Sequence, residues 1–108
     1  MGTTIAALLR DAPGLAAGAR VLGDASISIE AIAYDSRAVA PGTLFVALRG
    51  ALADGHRYVS QAIERGAVAV LAEEPGGNER VGCTIVVPDS RAALAQAALA
   101  FFRQPSRE

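Results

Sequence analysis

The chain has 108 residues, 52% of them apolar and only 5% aromatic, with a formal net charge of −1. That length fits one domain with one core, which must be built from Ala, Val, Leu and Ile, and a charge so near zero gives no sign of a nucleic-acid surface. All ten basic residues are arginine, so the sequence lacks the lysine that a phosphate-binding P-loop requires and excludes lysine-based catalysis.

The first predicted element is a short helix. Thr3 or Thr4 caps it, Ile5, Leu8 and Leu9 form its apolar stripe, and "DAPG" at 11–14 ends it because Pro13 disfavours helix at the preceding residue. A Gly/Ala-rich loop is expected next. From Ala25 to Ala31 apolar and polar residues alternate strictly, as in a half-exposed strand near an edge. Residues 32–34 are apolar on both faces, so this strand is expected to turn inward before Asp35.

Pro41-Gly42 marks a turn, and "TLFVAL" at 43–48 reads as a buried central strand. After the loop "RGALADG", Asp54 is the expected cap of a helix through Arg65, with Tyr58, Val59, Ala62 and Ile63 as its apolar stripe and Gly66 as its stop. "AVAVLA" at 67–72 is the next buried strand. Glu73-Glu74 and "PGGNER" read as a surface loop, and residues 81–87 as another strand. Cys83 lies in this apolar run, where a buried, inert thiol is expected. The last helix spans about 90–103, with Leu94, Ala98 and Phe101 on one stripe and Ala95, Leu99 and Phe102 beside it.

This order predicts an α/β fold: a single small domain with a mixed, mostly parallel sheet of about four to five strands and about three helices packed on it. One cysteine and one histidine, His56, leave no internal disulfide and little support for a metal site or a Ser-His triad. No stretch approaches the roughly 20 apolar residues of a membrane span. The N-terminus lacks the basic start and long apolar run of a signal peptide, so the chain reads as cytoplasmic, with neither nucleic acid nor membrane as a partner.

The tripeptide Asp-Ser-Arg occurs twice, at 35–37 and 89–91. The second opens a helix, where Asp89 or Ser90 serves as cap. The first leads into a turn and a strand, with no helix end to satisfy. It is either an Asx-type turn with Arg37 solvated, or a ligand edge in which Ser36 and nearby amides hold a polar group and Arg37 faces an anion. "GALADGH" at 50–56 is similarly open: small residues let backbone approach a ligand, but an ordinary strand-to-helix loop needs nothing more.

Taken together, "YDSRAVAPGTLFVALRGALADGHRYVSQAIERGAVAVLAEE" resembles the N-terminal domain of Mur ligases, the enzymes that extend the UDP-linked peptidoglycan precursor. The ending "VVPDSRAALAQAALAFFRQPSRE" is most similar to the tripeptide synthetases that add the third residue to UDP-MurNAc-L-Ala-D-Glu; the D-Ala-D-Ala-adding ligases come second. A stand-alone α/β binding module remains the alternative of a different class.

The resemblance implies that residues 1–108 are the UDP-binding N-terminal domain, non-catalytic by itself. It implies substrate contacts at Tyr34, Ser36 and, adjacent to them, Arg37, and at Ala51, Leu52 and Ala53 in the second segment. There, Ala51 and Leu52 offer only main-chain groups where the family's pattern often has a polar residue. No cofactor is implied for this chain itself. ATP and magnesium, with the central and C-terminal domains, would lie beyond Glu108.

Overall fold

Two short runs of Ala, Val, Leu and Phe, each too short for a stable helix and apolar at every position, are suited to strands covered on both faces. They are the centre of the fold. In chain order, the computed structural model describes residues 2–48, 58–73 and 81–102. These form β1 (Thr3–Thr4), α1 (Ile5–Asp11), α2 (Pro13–Ala16), β2 (Arg20–Gly23), β3 (Ser28–Ile29), β4 (Ala31–Ala33), a 3-10 turn (Ser36–Ala38), β5 (Thr43–Val46), α3 (Val59–Glu64), β6 (Ala67–Ala72), β7 (Cys83–Val86) and α4 (Ser90–Phe102).

The main sheet has the order β2-β7-β6-β5-β4. Strands β4 to β7 are parallel neighbours. Strand β2 closes one edge antiparallel to β7, with Arg20 opposite Val86 and Gly23 opposite Cys83. A two-stranded antiparallel pair, β1 with β3, stands apart from it. The expected mixed, mostly parallel α/β sheet is therefore present.

Side chains alternate across the sheet. Leu44, Val46, Ala69, Leu71, Cys83 and Ile85 pack with Ile5, Leu8 and Leu15 of α1 and α2 and with Ala93, Ala97 and Ala100 of α4. Phe45, Ala47, Val70 and Ala72 pack on the other side with Val59 and Ala62 of α3 and with Val39. The sheet is thus covered on both faces, as its parallel strands require.

Several local expectations hold for clear reasons. Thr4 caps α1, its hydroxyl accepting from the Ala7 amide at 3.1 Å. Gly66 follows α3 at φ +114°, and a Cβ there would lie 2.7 Å from the Pro41 Cα, so only glycine fits this passage. In the Pro41-Gly42 turn the Thr43 hydroxyl accepts from the Ala40 amide at 3.2 Å.

Other expectations are corrected. Among the described residues there are four helices rather than three, because the Gly/Ala-rich stretch holds α2, with proline in its first turn and Leu15 buried. That stretch was expected to be a loop, yet it also leads into β2. The alternating segment 25–31 is not one strand: residues 25–27 are irregular, β3 pairs with β1, and only β4 joins the main sheet. Ile32 and Ala33 are half-buried and pack against the cores on the two faces, but Tyr34 is 62% exposed, so the inward turn does not reach Tyr34. Helix α4 buries Ser90, Ala93, Ala97 and Ala100, whereas Leu99 and Phe102 of the expected stripe are 52% and 73% exposed. Methyl-sized side chains let this helix lie close to α1, α2 and the sheet, while the larger Leu94 and Phe101 pack half-buried against the same core.

Candidate functional site

Because β4 to β7 are parallel, their carboxyl ends share one edge of the sheet, the edge at which open α/β sheets bind ligands. Both Asp-Ser-Arg steps follow a carboxyl end, the first after β4 and the second after β7. The residues around them decide what each can do.

After β4 the chain alternates outward and inward. Tyr34 is exposed, Ser36 is buried at 7% exposure, and the Arg37 side chain is 82% exposed. Asp35 caps the 3-10 turn: its Oδ1 accepts from the Arg37 amide at 2.9 Å. The same carboxylate receives the Arg37 guanidinium in a fork, Nε to Oδ1 at 3.1 Å and Nη2 to Oδ2 at 2.8 Å. The side-chain and backbone bonds from Arg37 draw the Asp35 pKa down from 3.8 to about 2 and push that of Arg37 up. The first step is therefore an Asx-type turn, and Arg37 is paired as well as exposed. Two of the five guanidinium N–H groups are used, so Arg37 retains donors that face solvent.

Ser36 points the other way. Its hydroxyl donates to Gln61 Oε1 of α3 at 2.8 Å. With the proton committed, the oxygen keeps only acceptor capacity. Gln61 is exposed and borders the buried stripe of α3. A polar side chain one position before buried Ala62 was the sequence signal for it, but its partner lies 25 residues away.

After β7 the arrangement is structural. Asp89 Oδ1 accepts from the Arg91 and Ala92 amides at 3.1 and 3.2 Å and caps α4. Ser90, fully buried, donates its amide and hydroxyl to Glu73 Oε2 at 2.8 and 3.0 Å. Glu73 was expected in a surface loop; it instead joins the end of β6 to the start of α4. A shallow groove of about 240 Å³ lies beside this helix start, lined by Gly14, Gly18, Pro88, Asp89 and Gln96 among others. It contains none of the sequence-predicted site residues.

The structure thus places Tyr34, Ser36 and Arg37 on one connection, with Tyr34 and Arg37 outward and Ser36 turned under them. Ala51, Leu52 and Ala53, with Asp54 and His56, lie outside the described residues. Cys83 is fully buried in the sheet, and burial pushes its thiol pKa up, which keeps it protonated and unreactive. Among the described residues no group of three His, Cys, Asp or Glu side chains converges to hold a metal, and no helix is long and apolar enough to cross a membrane.

Comparison with known proteins gives concordant matches. The family model described as "Mur ligase family, catalytic domain" matches residues 28–102. The UDP-N-acetylmuramyl-tripeptide synthetase of Roseiflexus sp. (strain RS-1) is 52% identical over 80 residues, 73% of this chain and 16% of that protein. The UDP-N-acetylmuramoyl-L-alanyl-D-glutamate--2,6-diaminopimelate ligase of Parabacteroides distasonis is 42% identical over 101 residues, 93% of this chain and 21% of that protein. Among solved structures, MurF from Acinetobacter baumannii superposes with a TM-score of 0.75 at 27% identity, over 93% of this chain and 21% of that chain. This chain spans between 16% and 21% of the length of these relatives.

Proposed function

Because the chain belongs to the Mur ligase family, we propose that it forms the UDP-substrate-binding N-terminal domain of a ligase that adds the third amino acid, diaminopimelate or lysine, to UDP-MurNAc-L-Ala-D-Glu. The observation that carries this reading is the 52% identity to a tripeptide synthetase over 73% of the chain. A second reading, the domain of a D-Ala-D-Ala-adding ligase, is favoured by the MurF superposition over 93% of the chain. Its 27% identity is well below that of the tripeptide-synthetase match, so the first reading is preferred.

In this reading the domain binds and positions. The edge after β4 offers Tyr34 as an exposed ring, Arg37 with free N–H donors, and Ser36 beneath them. Ala51, Leu52 and Ala53 would add main-chain groups. Holding the UDP end fixes where the distant substrate carboxylate can reach, a contribution through orientation rather than chemistry. This chain has no lysine for a P-loop, so ATP and magnesium are not assigned to it. Both would act in the remainder of the ligase, in a cytoplasmic enzyme of peptidoglycan synthesis. No chemical step is assigned to residues 1–108.

The test is a titration of the chain with UDP-MurNAc-L-Ala-D-Glu, with UMP as control, followed by backbone amide NMR. Saturable shifts clustered at 34–37 and 50–55 are expected. No saturable shift at millimolar ligand overturns the reading. ATP turnover by the pure chain above background would overturn its non-catalytic part.

A further inference from the structure

Turn 35–38 and helix α3 are far apart in sequence and meet chiefly in two ways, with a weaker charge attraction between Asp35 and Arg65 at the end of α3. One is apolar: Val39, just after the turn, packs with Val59 and Ala62 of α3. Such contact is non-directional and does not fix how the turn is rotated on the helix. The other is the bond from Ser36 Oγ to Gln61 Oε1 at 2.8 Å, which is directional. Among the described residues no other side-chain hydrogen bond joins the turn to α3. The polar groups of Asp35 and the Nε and Nη2 groups of Arg37 are spent on each other.

We propose that Gln61 is a positioning residue for the UDP-substrate edge. By accepting the hydrogen bond from the Ser36 hydroxyl it sets the rotation of the Asp35–Ala38 turn, and with it the directions of Tyr34 and Arg37. This inference rests on the reading of that edge as the UDP-substrate site.

Two substitutions separate the polar role from mere packing. Gln61→Met keeps side-chain length and helix propensity but removes the acceptor. Gln61→Glu keeps an acceptor at the same reach. Gln61 is exposed, so both variants are expected to fold, and thermal melting of each checks this. Amide hydrogen exchange of the free chain is read at Arg37, Ala38 and Val39. In Gln61→Met these rates should rise about fivefold, the loss of one ordinary hydrogen bond, with Ala69–Leu71 unchanged; Gln61→Glu should exchange as wild type.

The dissociation constant for UDP-MurNAc-L-Ala-D-Glu should then rise by a similar factor in Gln61→Met and not in Gln61→Glu. Unchanged exchange in Gln61→Met, or identical behaviour of the two variants, overturns the positioning role. Wild-type affinity in Gln61→Met overturns it too. If wild type itself binds no substrate, the UDP-site reading fails, and the site role of Gln61 fails with it.

Discussion

The carboxylate of Glu73, just past the end of β6, accepts both the amide and the hydroxyl of Ser90 on one oxygen, at 2.8 and 3.0 Å. A single side chain thus satisfies two donors of a fully buried residue at the start of α4. Its negative charge also lies at the positive end of that helix.

Removing this acceptor should be costly. Glu73→Ala removes the acceptor that the Ser90 amide and hydroxyl share and should destabilise the domain by about 1–3 kcal/mol. Glu73→Gln retains an acceptor oxygen and should lose less. Urea unfolding of both variants checks this, and equal stability of Glu73→Ala and wild type would contradict it.

The Asp35–Arg37 fork makes a prediction in pH. The folded-state pKa of Asp35 is lowered from 3.8 to about 2, first by the side-chain bond from Arg37 and then by the Arg37 amide. A depressed carboxyl pKa contributes stability above the unfolded value, and that contribution is lost as pH falls through the folded value. The fork should therefore be intact at pH 4 and open progressively toward pH 2. The carbon-13 shift of the Asp35 carboxyl should titrate with a midpoint near 2 in wild type and move back toward 3.8 in Arg37→Ala.

Helix α4 gives a paired prediction. Ala97 is fully buried and Leu99 is 52% exposed, the reverse of what hydrophobicity alone would assign. Ala97→Leu should destabilise by about 1–3 kcal/mol through overpacking. Leu99→Gln should change stability by no more than about 0.5 kcal/mol. Thermal unfolding of the two variants side by side decides it; a larger loss in Leu99→Gln would mean that the helix face has been misassigned.

What the sequence disclosed follows the same division. Strands β5, β6 and β7 were legible because burial on both faces leaves continuous apolar runs. The start of α4 was legible because Asp89 is a cap residue just after a proline. Strand β2 was not, since Arg20, Val21, Leu22 and Gly23 are all exposed. It is held by pairing with β7 and carries no burial period. The face of α4 was read in part: Leu94 and Phe101 pack half-buried against the core, but side-chain volume, not polarity, selects the alanines that fit most closely against α1, α2 and the sheet.

At the candidate site, Asp35-Ser36-Arg37 could be singled out because a polar step stood between apolar runs. Its inner half could not be foreseen. Gln61 and Glu73 take their roles from partners 25 and 17 residues away, and no local pattern encodes such a separation. The family resemblance supplied the reading of 51–53 as a contact segment, where the residues themselves are too small and apolar to announce one.

The alanine face of α4 has a last consequence, for motion rather than form. A helix whose fully buried residues are Ser90, Ala93, Ala97 and Ala100, with Leu94 and Phe101 half-buried beside them, relies on close fit as well as on hydrophobic area. Its first turn is pinned by Asp89 and by Glu73, and its last carries Phe102 in solvent. Local opening should therefore run as a zipper from the Phe102 end, with amide protection falling steadily along the helix while the sheet beneath stays closed.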